Sequence, residues 1–232
     1  MILPVKKFKV VTLGCRTNQY ESQAYTDQLR SMGYVLAQEE ESADVCIVNT
    51  CTVTESADSS SRHQIRQLLR ENPQAKVAVT GCMAESAPDV IRSIDPRIQL
   101  VPNARKEELL ADLLPEEDTL PEFNIKTFDS HTRAFLKVQD GCDSFCTYCI
   151  IPQTRGALSS RPPQAILDDL ESLAEAGYEE VVLSGTHLGG YGQDLGLSLG
   201  KLLETLAAAS AISRLRLSSL DPNDVDEQTL EV

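Results

Sequence analysis

Seven cysteines stand in the 232-residue sequence, and six of them fall into two sets of three. Cys142, Cys146 and Cys149 form a C-x3-C-x2-C array within one short stretch. Three thiolates at this spacing can wrap one cubane iron–sulfur cluster and leave one iron without a protein ligand, since full ligation takes four cysteines. The array implies either a distant fourth ligand or an iron kept open for another molecule. Zinc is the weaker reading, because structural zinc uses paired C-x2–4-C units and only Cys146 and Cys149 make such a pair. The other three, Cys15, Cys51 and Cys82, are distant in sequence, yet each follows a short apolar run of β type: VVTLG, VNT and VTG. The competing reading for this set is three small core residues, since free cysteine is often buried. The seventh, Cys46, lies inside such a run and reads as core with no ligand role.

The elements that must position these thiols alternate. Phe8–Leu13, Asp44–Asn49, Lys76–Thr80 and Ile98–Val101 read as strands. Glu21–Met32, Ser56–Arg70, Glu85–Ile94 and Arg105–Leu114 read as helices between and after them. Such alternation predicts a parallel sheet with helices on its faces. In an open parallel sheet the loops at the carboxyl ends of the strands share one edge, so Cys15, Cys51 and Cys82 can converge there. The acidic, proline-containing run Pro115–Glu122 reads as a boundary. A second series follows: strand Ala134–Val138 leading into the cysteine loop, helix Pro163–Ala176, strand Glu180–Ser184, helix Leu197–Ala209 and strand Arg214–Ser218. The expected class is α/β: an N-terminal parallel-sheet three-layer domain over 1–116, a linker over 117–131, and an incomplete (β/α) barrel over 132–232.

Composition limits what surrounds the thiols. No apolar run approaches the roughly 18–20 residues that span a bilayer, and Lys6, Lys7 and Lys9 are followed by no signal-peptide core. The expected place is the cytoplasm with no membrane partner, where clustered cysteines bind metal or do chemistry rather than form disulfides. The net charge of −14 by itself argues against a nucleic-acid partner. The stretch 133–161 departs from it, with Arg133, Lys137, Arg155 and Arg161 against Asp140 and Asp143.

The array Cys142–Cys149 resembles the radical S-adenosylmethionine (SAM) superfamily. That resemblance implies a cluster whose open iron binds SAM, a 5'-deoxyadenosyl radical made on its reduction, and an adenine contact from the aromatic residue before the third cysteine, here Tyr148. The segments TLGCRTNQYES around Cys15, NTCTV around Cys51, TGC ending at Cys82, and GCDSFCTYCIIPQTRG with Ser160-Arg161-Pro162 together resemble the methylthiotransferase family. The opening GCRTNQYES and the RLRLSSLDP segment are most similar to its threonylcarbamoyladenosine branch. The isopentenyladenosine branch, the ribosomal-protein aspartate branch and a non-catalytic iron–sulfur remnant stay open as alternatives.

This resemblance implies methylthiolation of carbon 2 of an adenine beside the tRNA anticodon, using SAM as methyl donor and radical source. It implies two 4Fe-4S clusters, one on Cys142, Cys146 and Cys149 and an auxiliary one on Cys15, Cys51 and Cys82. Its partners would be tRNA, through the anticodon loop, and a reductant such as flavodoxin or ferredoxin. The family's usual TRAM domain is missing from this sequence, and the barrel has only three strands, so the chain reads as a fragment or a truncated form.

Weaker signals remain. Gly185 and Thr186 open a glycine-rich loop where radical SAM enzymes commonly contact the methionine part of SAM, and Ser218 and Ser219 end the next strand and could reach the ribose. His187 reads as a plain loop residue. Arg155 and Arg161 are candidates for RNA or SAM contact. Arg62, Arg66 and Arg70 recur every four residues and so share one helix face, either as a phosphate-contacting stripe or as an ordinary solvated face.

Overall fold

The computed structural model describes residues 5–128, 132–218 and 220–232. The chain divides into two compact units, Met1–Asn124 and Ile125–Val232.

The first unit runs β1 (Lys7–Thr12), α1 (Arg16–Ser31), β2 (Val35–Leu36), β3 (Val45–Thr50), α2 (Glu55–Glu71), β4 (Lys76–Gly81), α3 (Cys82–Ser86), α4 (Pro88–Arg92), β5 (Ile98–Leu100) and α5 (Leu109–Leu113). All strands are parallel in the order β2-β1-β3-β4-β5. The central strand VCIVNT is buried along its whole length, as a strand covered on both faces must be. Its alternate residues feed two cores. Val45 and Ile47 join Phe8, Tyr25, Leu29 and Leu110, while Cys46 and Val48 join Ile65, Leu68, Met83 and Ile91. The three-layer architecture expected from the alternation is therefore present, with α1 and α5 on one face and α2, α3 and α4 on the other.

Three boundaries differ from the sequence reading, each for a physical reason. Helix α1 starts at Arg16, directly after Cys15, five residues earlier than its apolar period suggests. Its first turns are polar, but Thr17, Asn18 and Glu21 are buried, and the Asn18 and Glu21 side chains are bonded internally. The helix expected over 85–94 is interrupted at Ala87, whose φ/ψ of −142°/53° leads into Pro88 at the start of α4. The helix expected from Arg105 is a 3-10 segment, Asn103–Glu108, before α5 takes over. The run 115–123 lies against this unit: Gln28 donates to the Pro121 carbonyl at 2.7 Å, Lys76 pairs with Glu116 at 2.6 Å, and Phe123 packs on Tyr25.

The second unit holds β6 (Ala134–Lys137), β7 (Gln139–Asp140), α6 (Ile151–Arg155), β8 (Ser159–Ser160), α7 (Pro163–Glu175), β9 (Glu180–Ser184), α8 (Leu199–Ala209), β10 (Arg214–Leu217) and α9 (Glu227–Glu231). Strands β6, β9 and β10 are parallel neighbours in chain order, the progression of a (β/α) barrel rather than of an open doubly wound sheet. Helix α7 buries Ile166, Leu170 and Leu173, and α8 buries Leu199, Leu202, Leu203 and Leu206, each a single apolar stripe. The antiparallel pair β7–β8 ties the end of the first barrel strand to the chain beyond the cysteine loop.

Because Ile47 is fully buried at the centre of the first sheet, Ile47→Ala should lower unfolding stability by roughly 2–5 kcal/mol, while Val35→Ala on the exposed edge strand should change it by about 0.5 kcal/mol or less. Urea melts followed by circular dichroism measure both; equal effects would contradict the burial pattern.

Candidate iron–sulfur and cofactor sites

Register decides where the first three thiols lie. Thr12 stands opposite Asn49, and Asn49 opposite Thr80; Thr50 stands opposite Gly81. The three strands thus end level with one another, and the next residues are Leu13-Gly14-Cys15, Cys51 and Cys82. A Cβ placed on Gly14 would lie 2.9 Å from the Cys51 Cβ and 3.1 Å from its Sγ, so the residue before Cys15 touches Cys51. Order β2-β1-β3 makes the gap between β1 and β3 the topological switch point of the sheet, the place where such folds bind ligands.

A buried amide pair fixes this edge. Asn18 donates through Nδ2 to the Leu13 carbonyl at 2.8 Å and the Thr50 carbonyl at 2.9 Å, while its Oδ1 lies 3.5 Å from the Cys15 sulfur. Asn49 donates to the Asn18 carbonyl at 3.2 Å and to Glu21 at 3.1 Å, and Glu21 is itself paired with Lys106 at 2.9 Å. The Ser61 hydroxyl of α2 donates to the Cys51 carbonyl at 3.0 Å. Asn18 and Asn49 carried no ligand or catalytic role in the sequence reading; polar residues at helix starts and strand ends are common, and only the fold shows that these two meet. Cys46 lies in the core away from this edge, and burial pushes its thiol up to about 12.

In the second unit Cys142, Cys146 and Cys149 share the loop between β7 and α6. The Cys149 N–H donates to the Cys146 carbonyl at 2.9 Å, and the Cys142 N–H to the Gly156 carbonyl at 3.1 Å. Phe145, between the first two cysteines, has φ +45°, a conformation a bulky residue seldom adopts. Phe145 and Tyr148 project outward, with Tyr148 90% exposed.

A glycine with positive φ precedes a cysteine in three places: Gly14 at +105°, Gly81 at +91° and Gly141 at +69°. An L side chain is strained there, and at Gly141 it would also run into the Ala157 carbonyl. The glycine turns the chain sharply off the strand, so the following thiol sits at the strand end instead of continuing the sheet.

Gln139, missed by the sequence reading, organises the neighbouring loops. It is fully buried, donates to the Asp140 and Gly141 carbonyls at 2.7 Å each, and accepts the His187 N–H at 2.8 Å. A Cβ on Gly185 would meet the Gln139 Oε1 at 2.6 Å, so that glycine is needed for this contact. The Thr186 hydroxyl donates to the Gly141 carbonyl at 2.6 Å. Gly185 and Thr186 therefore lie against the start of the cysteine loop. Ser218 follows β10, and its Oγ is buried with no hydrogen-bond partner among the described residues; Ser219 lies outside the described residues. His187 is more than a plain loop residue, since its Nε2 meets Asp224 at 2.9 Å.

Arg155 and Arg161 correct the sequence reading. The Arg155 side chain is wholly buried and pairs with Asp140 at 2.9 Å; Arg161 pairs with Asp169 at 2.8 Å and donates to the Lys137 carbonyl at 3.1 Å. The wholly buried Arg155 charge needs its partner, whereas Arg161 is partly exposed and ties α7 to the end of β6.

Among the described residues no three His, Cys, Asp or Glu side chains gather around a single metal ion. A cubane spreads its thiolates over separate irons, so the two triads suit a cluster by donor type and by strand-end placement. No helix of the described residues is long and apolar enough to cross a membrane.

Gly141→Ala should cost stability well beyond the roughly 1–2 kcal/mol of a left-handed alanine, because backbone blocks its Cβ. Gly177→Ala, with φ +90° and open space around it, should cost only that amount. Paired urea melts check this, and equal losses would contradict it.

Residues 7–102 match the family described as "Uncharacterized protein family UPF0004". The chain is 48% identical over 221 residues to threonylcarbamoyladenosine tRNA methylthiotransferase MtaB of Chlamydia pneumoniae, covering 95% of this chain and 52% of that protein. It is 37% identical to the MtaB of Bacillus subtilis strain 168, covering 95% and 53%. The chain spans about half the length of these curated relatives. Among solved structures, the radical SAM methyltransferase TsrM of Kitasatospora setae, with cobalamin and a [4Fe-4S] cluster bound, superposes with TM-score 0.62 at 15% identity, covering 98% of this chain and 58% of that one. At that identity the likeness speaks for the fold alone. Over nearly its whole length, with both motif sets present in order, the chain is thus similar to methylthiotransferases named MtaB.

Proposed function

We propose that the protein adds a methylthio group to carbon 2 of N6-threonylcarbamoyladenosine beside the anticodon of tRNA. The observation that carries this reading is the pair of three-thiol sets, one following three adjacent parallel strands and the other gathered in the single loop between β7 and α6. Cys142, Cys146 and Cys149 would hold one 4Fe-4S cluster, and Cys15, Cys51 and Cys82 a second. Replacing a hydrogen on an unactivated aromatic carbon by sulfur is hard, and the clusters with SAM, when bound, supply the radical, the sulfur and the methyl group.

The chain's own contribution is positioning. Asn18 and Asn49 hold the β1 and β3 ends together, so Cys15 and Cys51 cannot drift apart. Gln139 locks the cysteine loop to the loop that begins at Gly185. The exposed ring of Tyr148 is free to cover an adenine. Gly185, Thr186 and Ser218 sit at strand ends, where the backbone and the buried Ser218 hydroxyl can meet the rest of SAM. Transfer needs electrons, so a small reductant such as flavodoxin or ferredoxin is the second partner after tRNA. The names of the relatives favour threonylcarbamoyladenosine over the isopentenyl and ribosomal-protein substrates.

In the full-length protein, anaerobic turnover read by nucleoside mass spectrometry should give methylthio-threonylcarbamoyladenosine. Cys146→Ala should lose both 5'-deoxyadenosine and product. Cys51→Ala should still cleave SAM but form no methylthio product, and Cys46→Ala should behave as wild type. Methylthio product from Cys51→Ala, or product only on isopentenyladenosine tRNA, would refute the assignment.

A further inference from the structure

The chain is strongly acidic, and its basic residues are nearly all spent on internal partners. Of the 21 lysines and arginines, all but three make an ion pair or another polar interaction. Among the described residues the exceptions are Arg62, Arg66 and Arg70, and all three belong to α2. Asp58, one turn before Arg62, makes no ion pair with it among the described residues.

Their spacing of four residues puts them on one face, with about 12 Å of helix from first to last. The neighbouring face of α2, about a third of a turn away, carries Ser61, Ile65, Leu68 and Leu69 and is buried; Arg62, at its border, is half-buried, and Arg66 and Arg70 are exposed. Ser59 and His63, both exposed, extend the face, and no large apolar side chain lies among these residues. Protein partners usually bury an apolar centre, so this face suits a different ligand. Guanidinium groups with flanking hydroxyls suit phosphate oxygens. The stripe also starts beside the sulfur site: Arg62 follows Ser61, whose hydroxyl holds the Cys51 carbonyl at 3.0 Å.

We propose that the Arg62–Arg66–Arg70 stripe is a docking surface for the sugar–phosphate backbone of the tRNA whose base is modified. It rests on the function proposed above and deepens it by placing part of the RNA contact on the first unit. The contact is electrostatic and independent of sequence. It places the backbone next to the strand edge that bears Cys51.

The test compares full-length wild type with Arg62→Gln/Arg66→Gln/Arg70→Gln, which keeps good helix formers, and with the corresponding triple Arg→Lys variant. Binding of substrate tRNA is measured from 50 to 300 mM salt, together with methylthiolation kinetics, circular dichroism and SAM cleavage in the absence of RNA. The glutamine variant should bind roughly 10–100-fold more weakly near 0.15 M salt, and its log–log salt slope should be shallower by about 2–3. KM for tRNA should rise with kcat kept, SAM cleavage and the melt should be unchanged, and the lysine variant should restore the slope. Unchanged affinity and slope in a glutamine variant whose wild type modifies tRNA would overturn the stripe and leave the function standing. Weakened reduction by a flavodoxin with unchanged tRNA binding would overturn it in favour of an acidic protein. A wild type that methylthiolates no tRNA would instead overturn the function and the stripe with it.

Discussion

Parallel pairing in flush register across β1, β3 and β4 is the constraint on which the first thiol set depends. With Thr12, Asn49 and Thr80 abreast, the chain leaves three adjacent strands at one level. One-residue slips would move a thiol by about 3.3 Å and also send the strand's alternate side chains to the wrong core. The same apolar contacts that stabilise the sheet therefore set the thiol positions. Val45 and Ile47 on one side, with Cys46 and Val48 on the other, make any slip costly. Glycine before cysteine completes the arrangement, because a positive φ ends the strand without moving the thiol away from it.

The two units solve the same problem with different topologies. In the first, an open sheet with a switch point between β1 and β3 places cysteines after three adjacent strands on one edge. In the second, one loop after one strand carries all three, and the surrounding structure stiffens that loop. Gln139 reaches from the strand end into two loops at once, and the buried Asp140–Arg155 pair clamps the loop's two ends. Removing either charge of that pair loosens the clamp, although Asp140 also keeps Lys137 at 3.7 Å. That explains why an arginine beside a cysteine motif is structural here even though its neighbourhood is basic.

Much of this was legible in the sequence. DVCIVN and KVAVT read as strands, and the alternation of strand and helix made them parallel and placed Cys15, Cys51 and Cys82 at strand ends. The interior position of Cys46 followed from the same register logic. What could not be read was the set of contacts that depend on partners far along the chain. Nothing local to Asn18 says that its amide will bridge the Leu13 and Thr50 carbonyls. Nothing local to Arg155 says that its guanidinium will be buried on Asp140. The start of α1 was missed because apolar period was the signal, and its first turns are polar residues buried for hydrogen bonding.

The central claim is that two independent thiol sets each hold their own cluster. Iron and acid-labile sulfide counts on the anaerobically reconstituted full-length protein test it most directly, comparing wild type with Cys15→Ala/Cys51→Ala/Cys82→Ala. Two cubanes require about eight irons and eight sulfides per chain, and the triple variant should keep about four of each. A wild-type count of about four, or a variant that still holds about eight, would contradict the account.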